Sequence, residues 1–216
     1  MGRFDDGGTT RMGQVVVVGN GGHARACVDA WPSEGPQPAG YLGPEPGDVL
    51  GLDHLGDDDA LPRLAASGLT SAFVALGSGG ARAAVTRRCE EAGMELATVV
   101  ADTAQVGRTS TLGAGTVVMH RAVVGARVTV GRGTIINTAS SVDHDCRIGD
   151  FVHVAPGVHL AGTVTVGDRA MIGIGASVVP GIRIGAGATV GAGAVVIRDV
   201  ADGATVVGVP AQELKP

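Results

Sequence analysis

From Val100 onward every sixth residue is aliphatic: Val100, Val106, Leu112, Val118, Val124, Val130, Ile136, Val142, Ile148, Val154, Leu160, Val166, Ile172, Val178, Ile184, Val190 and Val196, with no slip and no insertion. The position four residues later is also restricted, running from Ala104, Ser110 and Thr116 to Ala188 and Ala194, and the residue just after the aliphatic is most often glycine. A fixed short period is the signature of a solenoid. One hexad makes a short flat strand and a corner, with the branched aliphatic pointing inward. Three hexads close a triangular coil of eighteen residues, and about five coils stack, each pairing with the next as parallel strands so that only the end coils leave an open edge. Composition fits this: glycine is high at 37 residues and aromatics low at 2%, so the interior is filled by small aliphatic side chains. Collagen would need glycine at every third position and much more proline.

The first part of the chain has a different grammar. Residues 1–13 read as a flexible leader. From Gln14 the pattern becomes strand–helix: QVVVVG is a short apolar run fit for a buried parallel strand, and GNGGHARACVDAW turns into a helix. A Pro- and Gly-rich loop is expected from Pro32 to Gly51, a weaker helix near Asp58–Ser67, a second buried strand at SAFVALG, and a helix over GGARAAVTRRCEEAG that stops at Gly93. This predicts a small α/β, Rossmann-like domain over residues 14–97 with a parallel sheet, followed by an all-β solenoid over 98–216.

The net charge of −5 argues against nucleic acid as the main ligand. No apolar stretch approaches the ~20 residues of a membrane span, and the start lacks the apolar core of a secretion signal. Cys27, Cys89 and Cys146 are scattered, which points to a reduced, cytoplasmic protein without a disulfide framework.

Several residues could carry chemistry. His144 lies two places after the inward Val142, hence on the outside of a coil, and Asp145 follows it. Gly162 is one coil after His144 and should stack against it. With no Cβ, its backbone N–H is approachable, which makes it a candidate oxyanion donor or else an ordinary corner glycine. Cys146 falls on the small inward position of its hexad and reads as a buried structural cysteine. A zinc site built from His120, His144, His153 and His159 is the competing idea, but the hexad arithmetic puts these histidines on different faces unless a subunit interface gathers them. Gly19-Asn20-Gly21-Gly22-His23-Ala24 partly resembles a dinucleotide fingerprint, but no acidic strand end follows at the required spacing.

VVVVGNGGHAR (15–25), VALG (74–77), INTASSVDHDCRIGDFVHVAPGVHLAGTVTVG (136–167) and VVGVPA (206–211) together resemble the bacterial hexapeptide-repeat sugar acetyltransferases. That family includes UDP-amino-sugar N-acetyltransferases of the bacillosamine pathway and sialic acid O-acetyltransferases. The resemblance implies a left-handed coil and a homotrimer, with acetyl-CoA in a groove between neighbouring subunits and a nucleotide-linked sugar held by the N-terminal domain. It implies that His144 is the general base, oriented by Asp145, and that His153 contacts acetyl-CoA near the reacting end. Ile174 and Ala192 would line the CoA tail. Gly21, Gly22 and His23 at the helix start, with Gly43, Pro44 and Gly77, would face the acceptor. No metal is expected. Two departures bear on the acceptor. Many relatives carry an acidic pair after the second strand, where this chain reads Tyr41-Leu42-Gly43-Pro44-Glu45, and Ser78-Gly79-Gly80 stand where relatives have Asn or Asp after the VALG motif. The expected activity is acetyl transfer to an amino sugar. Transfer to a sugar hydroxyl by the same residues, a non-catalytic sugar-nucleotide scaffold and a zinc hydrase are the competing readings.

Overall fold

The computed structural model describes residues 13–214, so the expected leader over 1–13 falls, but for Gly13, outside the described residues. The N-terminal part runs β1 (Gln14–Val18), α1 (Gly22–Asp29), β2 (Gln37–Leu42), a 3-10 turn (Asp58–Ala60), α2 (Leu61–Ala66), β3 (Ser71–Val74), α3 (Gly79–Glu91) and β4 (Glu95–Leu96). The strands form one parallel sheet in the order β2-β1-β3-β4. Val15–Val18 are buried on both faces of the sheet, as a strand between covering layers requires. Helix α3 ends at Glu91, and Gly93 takes φ +78 just beyond it, the left-handed stop expected of that glycine.

The loop expected over Pro32–Gly51 is corrected by β2, which lies within it. Pro38 and Gly40 give this segment the composition of a loop, but β2 is the edge strand, where a missing N–H is tolerated. The register with β1 slips between Val15 and Val16, at Pro38 and Gly40.

From Val99 the chain winds into a parallel β-solenoid of two-residue strands, each pairing in register with the strand eighteen residues away, as in Val117↔Ile135↔His153↔Met171. The strands line up in three faces. A junction face is led by Val99, Val117, Ile135, His153, Met171 and Thr189. The second face is led by Gln105, Val123, Ser141, His159, Ser177 and Val195, and the third by Thr111, Thr129, Arg147, Thr165 and Arg183. The second face has six rungs, one more than the about five coils that hexad counting gives. After Val196 the repeat loses two residues, yet Val200 and Val206 still turn inward and bridge to Ile184 and Val190. The six-residue aliphatics form one continuous core, and among the described residues no helix is long and apolar enough to cross a membrane.

Two backbone constraints recur along the corners. A Cβ on Gly167 would stand 2.5 Å from the backbone nitrogen of Ala186 in the next coil, so the coils stack too closely for a side chain there. One residue before each small inward position, at every sixth residue from Gly115 to Gly193, the chain takes a left-handed conformation, at glycines and also at residues such as Arg127, Asp145 and Thr163.

The α/β domain packs on the junction face. The outward Val99, Val117 and Ile135 are buried against Val15, Val17, Cys27 and Phe73. The buried Arg82 of α3 ties the two parts together. Its guanidinium donates to Leu76 O (2.7 Å) and Gly77 O (2.9 Å) in the α/β domain, and to Gly133 O, Phe151 O (2.9 Å) and Val152 O (3.2 Å) in the solenoid. No carboxylate pairs with it among the described residues. Removing this donor strands several buried carbonyls, each costly to leave unsatisfied. Arg82→Met is therefore expected to lower the unfolding free energy by about 3 kcal/mol or more. Urea denaturation measures this, and a midpoint equal to that of the unsubstituted protein would contradict the account.

Candidate active site

His144 projects from the corner between the second and third faces, two residues after Val142. Its backbone N–H donates to Asp143 Oδ1 (2.7 Å), which pins the corner. Asp145 adopts φ 60, a conformation that aspartate tolerates better than most residues, and its carboxylate returns to the imidazole. His144 Nδ1 lies 2.8 Å from Asp145 Oδ2, while Asp145 Oδ1 takes the Arg127 guanidinium at 2.7 Å. Because a carboxylate only accepts, Nδ1 carries the proton and Nε2 offers its lone pair. The hydrogen bond from His144, with Arg127 assisting, holds the Asp145 carboxyl below the usual carboxylate range. Arg127, one coil before Asp145, was not singled out from the sequence; only the eighteen-residue stacking brings them together.

Gly162 lies directly under the imidazole. A Cβ on it would stand 2.5 Å from Cε1 and 2.6 Å from Nε2 of His144, so the ring rests on the bare Cα. Among the described residues the Gly162 N–H has no acceptor. Equivalent N–H groups on another corner are claimed by aspartates of the next coil, as Arg132 N donates to Asp150 Oδ1 and Asp150 N to Asp168 Oδ1 (both 2.9 Å). One coil beyond Gly162 stands Pro180, which has no such acceptor. The corner thus combines a half-exposed imidazole with a free Nε2 and an unclaimed backbone donor beside it. That set can deprotonate a nucleophile and stabilise an oxyanion.

A second group forms at the domain junction. His153 leads its strand on the junction face, with Nδ1 3.3 Å from Gly77 O and Nε2 3.1 Å from Asn137 Nδ2. Its ring centroid is 6.2 Å from that of His23. His23 Nε2 in turn lies 3.5 Å from Cys27 Sγ. Burial, then His153 and Arg82, lower the His23 pKa to about 4; burial and then Arg82 also lower that of His153. Both imidazoles are therefore neutral near pH 7. His23, Gly21 and Gly22 sit at the start of α1, where no side chain caps the helix, and Gly77 lies in the turn between β3 and α3. Gly43 is part of the loop after β2: a Cβ on it would strike Asn20 at 2.7 Å, and Asn20 Nδ2 also donates to Glu45 O (3.0 Å) across the exposed Pro44. A cavity of about 410 Å³ opens between Gly77, Ser78, Gly79, Phe151, His153 and Arg169.

Ile174 and Ala192 occupy a third location, the corner after the junction face. They stack one coil apart, with Gly193 N donating to Ile174 O (2.8 Å). Ile174 is 58% exposed. Within one chain the structure thus brings together His144, Asp145 and Gly162, and separately His153, His23 and Gly77, but places the two groups on different sides of the coil. Arg82 and Asn137 belong to the second group and went unmarked in the sequence, where both occupy generic polar positions.

The remaining histidines do not converge. His159 pairs with Ser141 Oγ (2.8 Å) and His120 with Thr103 Oγ1 (2.8 Å), and among the described residues no three metal-binding side chains gather. Cys146 is buried, donates to Ala161 O (3.2 Å) and has its thiol pushed up by burial, which is unlike a reactive thiolate.

Residues 163–198 match the family model described as bacterial transferase hexapeptide (six repeats). No match was found among curated protein sequences. Among solved structures, the chain is similar to perosamine N-acetyltransferase from Caulobacter crescentus, a histidine-to-asparagine variant in complex with CoA and GDP-perosamine, at 39% identity over 95% of this chain and 98% of that one, with a TM-score of 0.92. The acetyltransferase domain of PglB from Neisseria gonorrhoeae, in complex with acetyl coenzyme A, is 34% identical over 93% and 98% of the two chains, with a TM-score of 0.87. WeeI from Acinetobacter baumannii is 25% identical over 93% and 99%, with a TM-score of 0.78. Correspondence along nearly the whole chain at such identity, on the same solenoid, makes this protein a member of the hexapeptide-repeat sugar acetyltransferases, an acyltransferase built on a left-handed parallel β-helix.

Proposed function

We propose that the protein transfers the acetyl group of acetyl-CoA to the amino group of a nucleotide-linked amino sugar, directly and without a covalent enzyme intermediate. The observation that carries this reading is the His144 corner: an imidazole held by Asp145 in the tautomer that leaves Nε2 free, lying on Gly162 with an unclaimed N–H beside it. Relatives that bind CoA with GDP-perosamine, or acetyl coenzyme A, support the pair of substrates.

Acetyl-CoA supplies an activated thioester carbonyl. Nε2 of His144 accepts the proton that the amine must shed as it attacks, and Asp145 stabilises the imidazolium so formed. The Gly162 N–H faces the oxygen that gains charge in the tetrahedral intermediate. The imidazolium then returns its proton to the departing thiolate, which restores the starting state. Ile174 and Ala192 offer the small apolar wall that a pantetheine arm needs, and Gly21, Gly22, His23, Gly43, Pro44 and Gly77 surround the acceptor end. The separation of these groups around the coil supports a homotrimer in which the base corner of one chain meets the junction group of its neighbour.

His144→Ala is expected to keep the melting temperature and CoA binding but lose about 10²–10⁴ in kcat, read as thiol release with nucleotide-linked amino sugars. A fully active variant would sink the assignment. Matched sugars with a hydroxyl in place of the amine separate N- from O-transfer in the same assay.

Gly162→Ala separates the two roles of that residue. Alanine keeps the N–H but places a methyl where the His144 ring lies. A fall in kcat of about 10²-fold with little change in KM for acetyl-CoA is expected from a misplaced base. Unchanged kcat would mean that the bare Cα does not position His144.

A further inference from the structure

The junction group contains a chain of hydrogen bonds whose directions determine one another. It begins at Thr138, whose backbone N–H donates to Asn137 Oδ1 (2.8 Å). That bond fixes which end of the Asn137 amide is oxygen, so Nδ2 is the atom 3.1 Å from His153 Nε2. An amide nitrogen only donates, so Nε2 must carry a lone pair. On the far side of the ring, Nδ1 meets the Gly77 carbonyl, which only accepts, so Nδ1 must carry the proton. The two ends of the ring reach the same conclusion independently.

The Gly77 carbonyl is itself held. Arg82 Nη1 donates to it and to Leu76 O, while Nη2 reaches Phe151 O and Val152 O, the two residues before His153. Arg82 therefore grips both the carbonyl that His153 addresses and the backbone from which His153 projects. A buried cation without a carboxylate partner is expensive, and here the four contacts of its two terminal nitrogens fix the spacing between the Gly77 turn and His153.

We propose that Arg82 is a positioning residue that, with Asn137, locks His153 as the neutral Nδ1–H tautomer. This makes His153 a hydrogen-bond acceptor at Nε2, and removes it as an oxyanion donor and as a proton source there. The functional part rests on the reading of His153 as a ligand contact: oxyanion stabilisation falls to the Gly162 N–H, while the single Nε2 lone pair of His153, met here by Asn137 Nδ2, takes a donor group of the ligand, such as an amide or an amine, in place of that side-chain amide. The charged and titratable groups around the ring are Arg82 from α3, His23 and behind it Cys27 from α1, and Arg169, which lines the same cavity. Arg82 opposes protonation of His153, in keeping with the depressed basicity of both histidines.

Nitrogen-15 NMR of histidine-labelled protein tests this, with the His153 signals assigned by their loss in His153→Gln. In the unsubstituted protein, Nδ1 should be protonated and Nε2 not, with titration below the ordinary histidine midpoint of about 6.5. A dominant Nε2–H form would overturn the proposal. Arg82→Lys should populate both tautomers, raise the midpoint and lower kcat about tenfold or more, with KM for acetyl-CoA changed by less than about twofold. Should Arg82→Lys fail to fold, Arg82→Gln, which keeps a neutral donor near the Leu76 and Gly77 carbonyls, takes its place. A folded Arg82 variant with the original tautomer and midpoint would remove Arg82 from the role. Asn137→Asp, which presents only acceptors while the Gly77 carbonyl still faces Nδ1, should protonate Nε2 as well, favouring the imidazolium and raising the midpoint; an Nε2 that stays unprotonated with an unchanged midpoint would overturn the Asn137 half. The NMR measurements need no substrate. A locked tautomer in a protein that consumes no thioester would support the lock while sinking the transferase reading.

Discussion

The eighteen-residue register of the solenoid is the constraint on which the rest depends. Each coil hydrogen-bonds the next in phase, so residues eighteen apart stack whatever their chemistry. That stacking puts Arg127 against Asp145, and Gly162 under the His144 ring. None of these pairs is close in sequence and none needs a specific side-chain interaction to bring it together; the backbone ladder does so. The inward aliphatics that sustain the ladder are therefore part of the site, since a slip of one hexad would move every corner residue to another edge of the coil.

The second constraint is the seam between the α/β domain and the junction face. Apolar residues cover the first coils, and beyond Ile135 the outward position becomes His153, where the covering domain thins and a cavity begins. Arg82 closes the seam at that point, with carbonyls from both sides as its only partners among the described residues. A carboxylate there would neutralise the charge but would also compete for the guanidinium. Carbonyls leave the positive charge in place beside two imidazoles, where it adds to burial, the larger cause, in lowering the basicity of both.

How far the sequence reveals this molecule follows from the range of the interactions involved. The hexad pattern is local and repeated, so the solenoid, its inward positions and the outward placement of His144 and Asp145 follow from periodicity. Gly162 against His144 follows from the same arithmetic. Strand β2 does not: Pro38 and Gly40 are loop residues by composition, and only the edge position and the register slip against β1 accommodate them. Arg82 is equally silent, because one of three arginines in a polar helix, beside Arg87 and Arg88, reads as solvated surface. Its burial depends on carbonyls about 50 to 70 residues away that no sequence pattern marks. The repeat also continues past Val196 through a two-residue deletion, which period counting misses because it stops at the first broken hexad.

The two histidine environments are built on opposite principles. His144 is 57% exposed, with the Asp145 carboxylate on Nδ1, and Asp145 Oδ1 takes the Arg127 guanidinium. His153 is half-buried, with a neutral carbonyl on Nδ1 and a guanidinium close behind it, so gaining a proton is opposed. A carboxylate partner can support an imidazolium, whereas a carbonyl backed by a fixed cation cannot. One imidazole is thus arranged to change its charge during a reaction and the other to keep it. Under the proposed transfer, with its single mobile proton, this division would keep a second histidine from competing with His144.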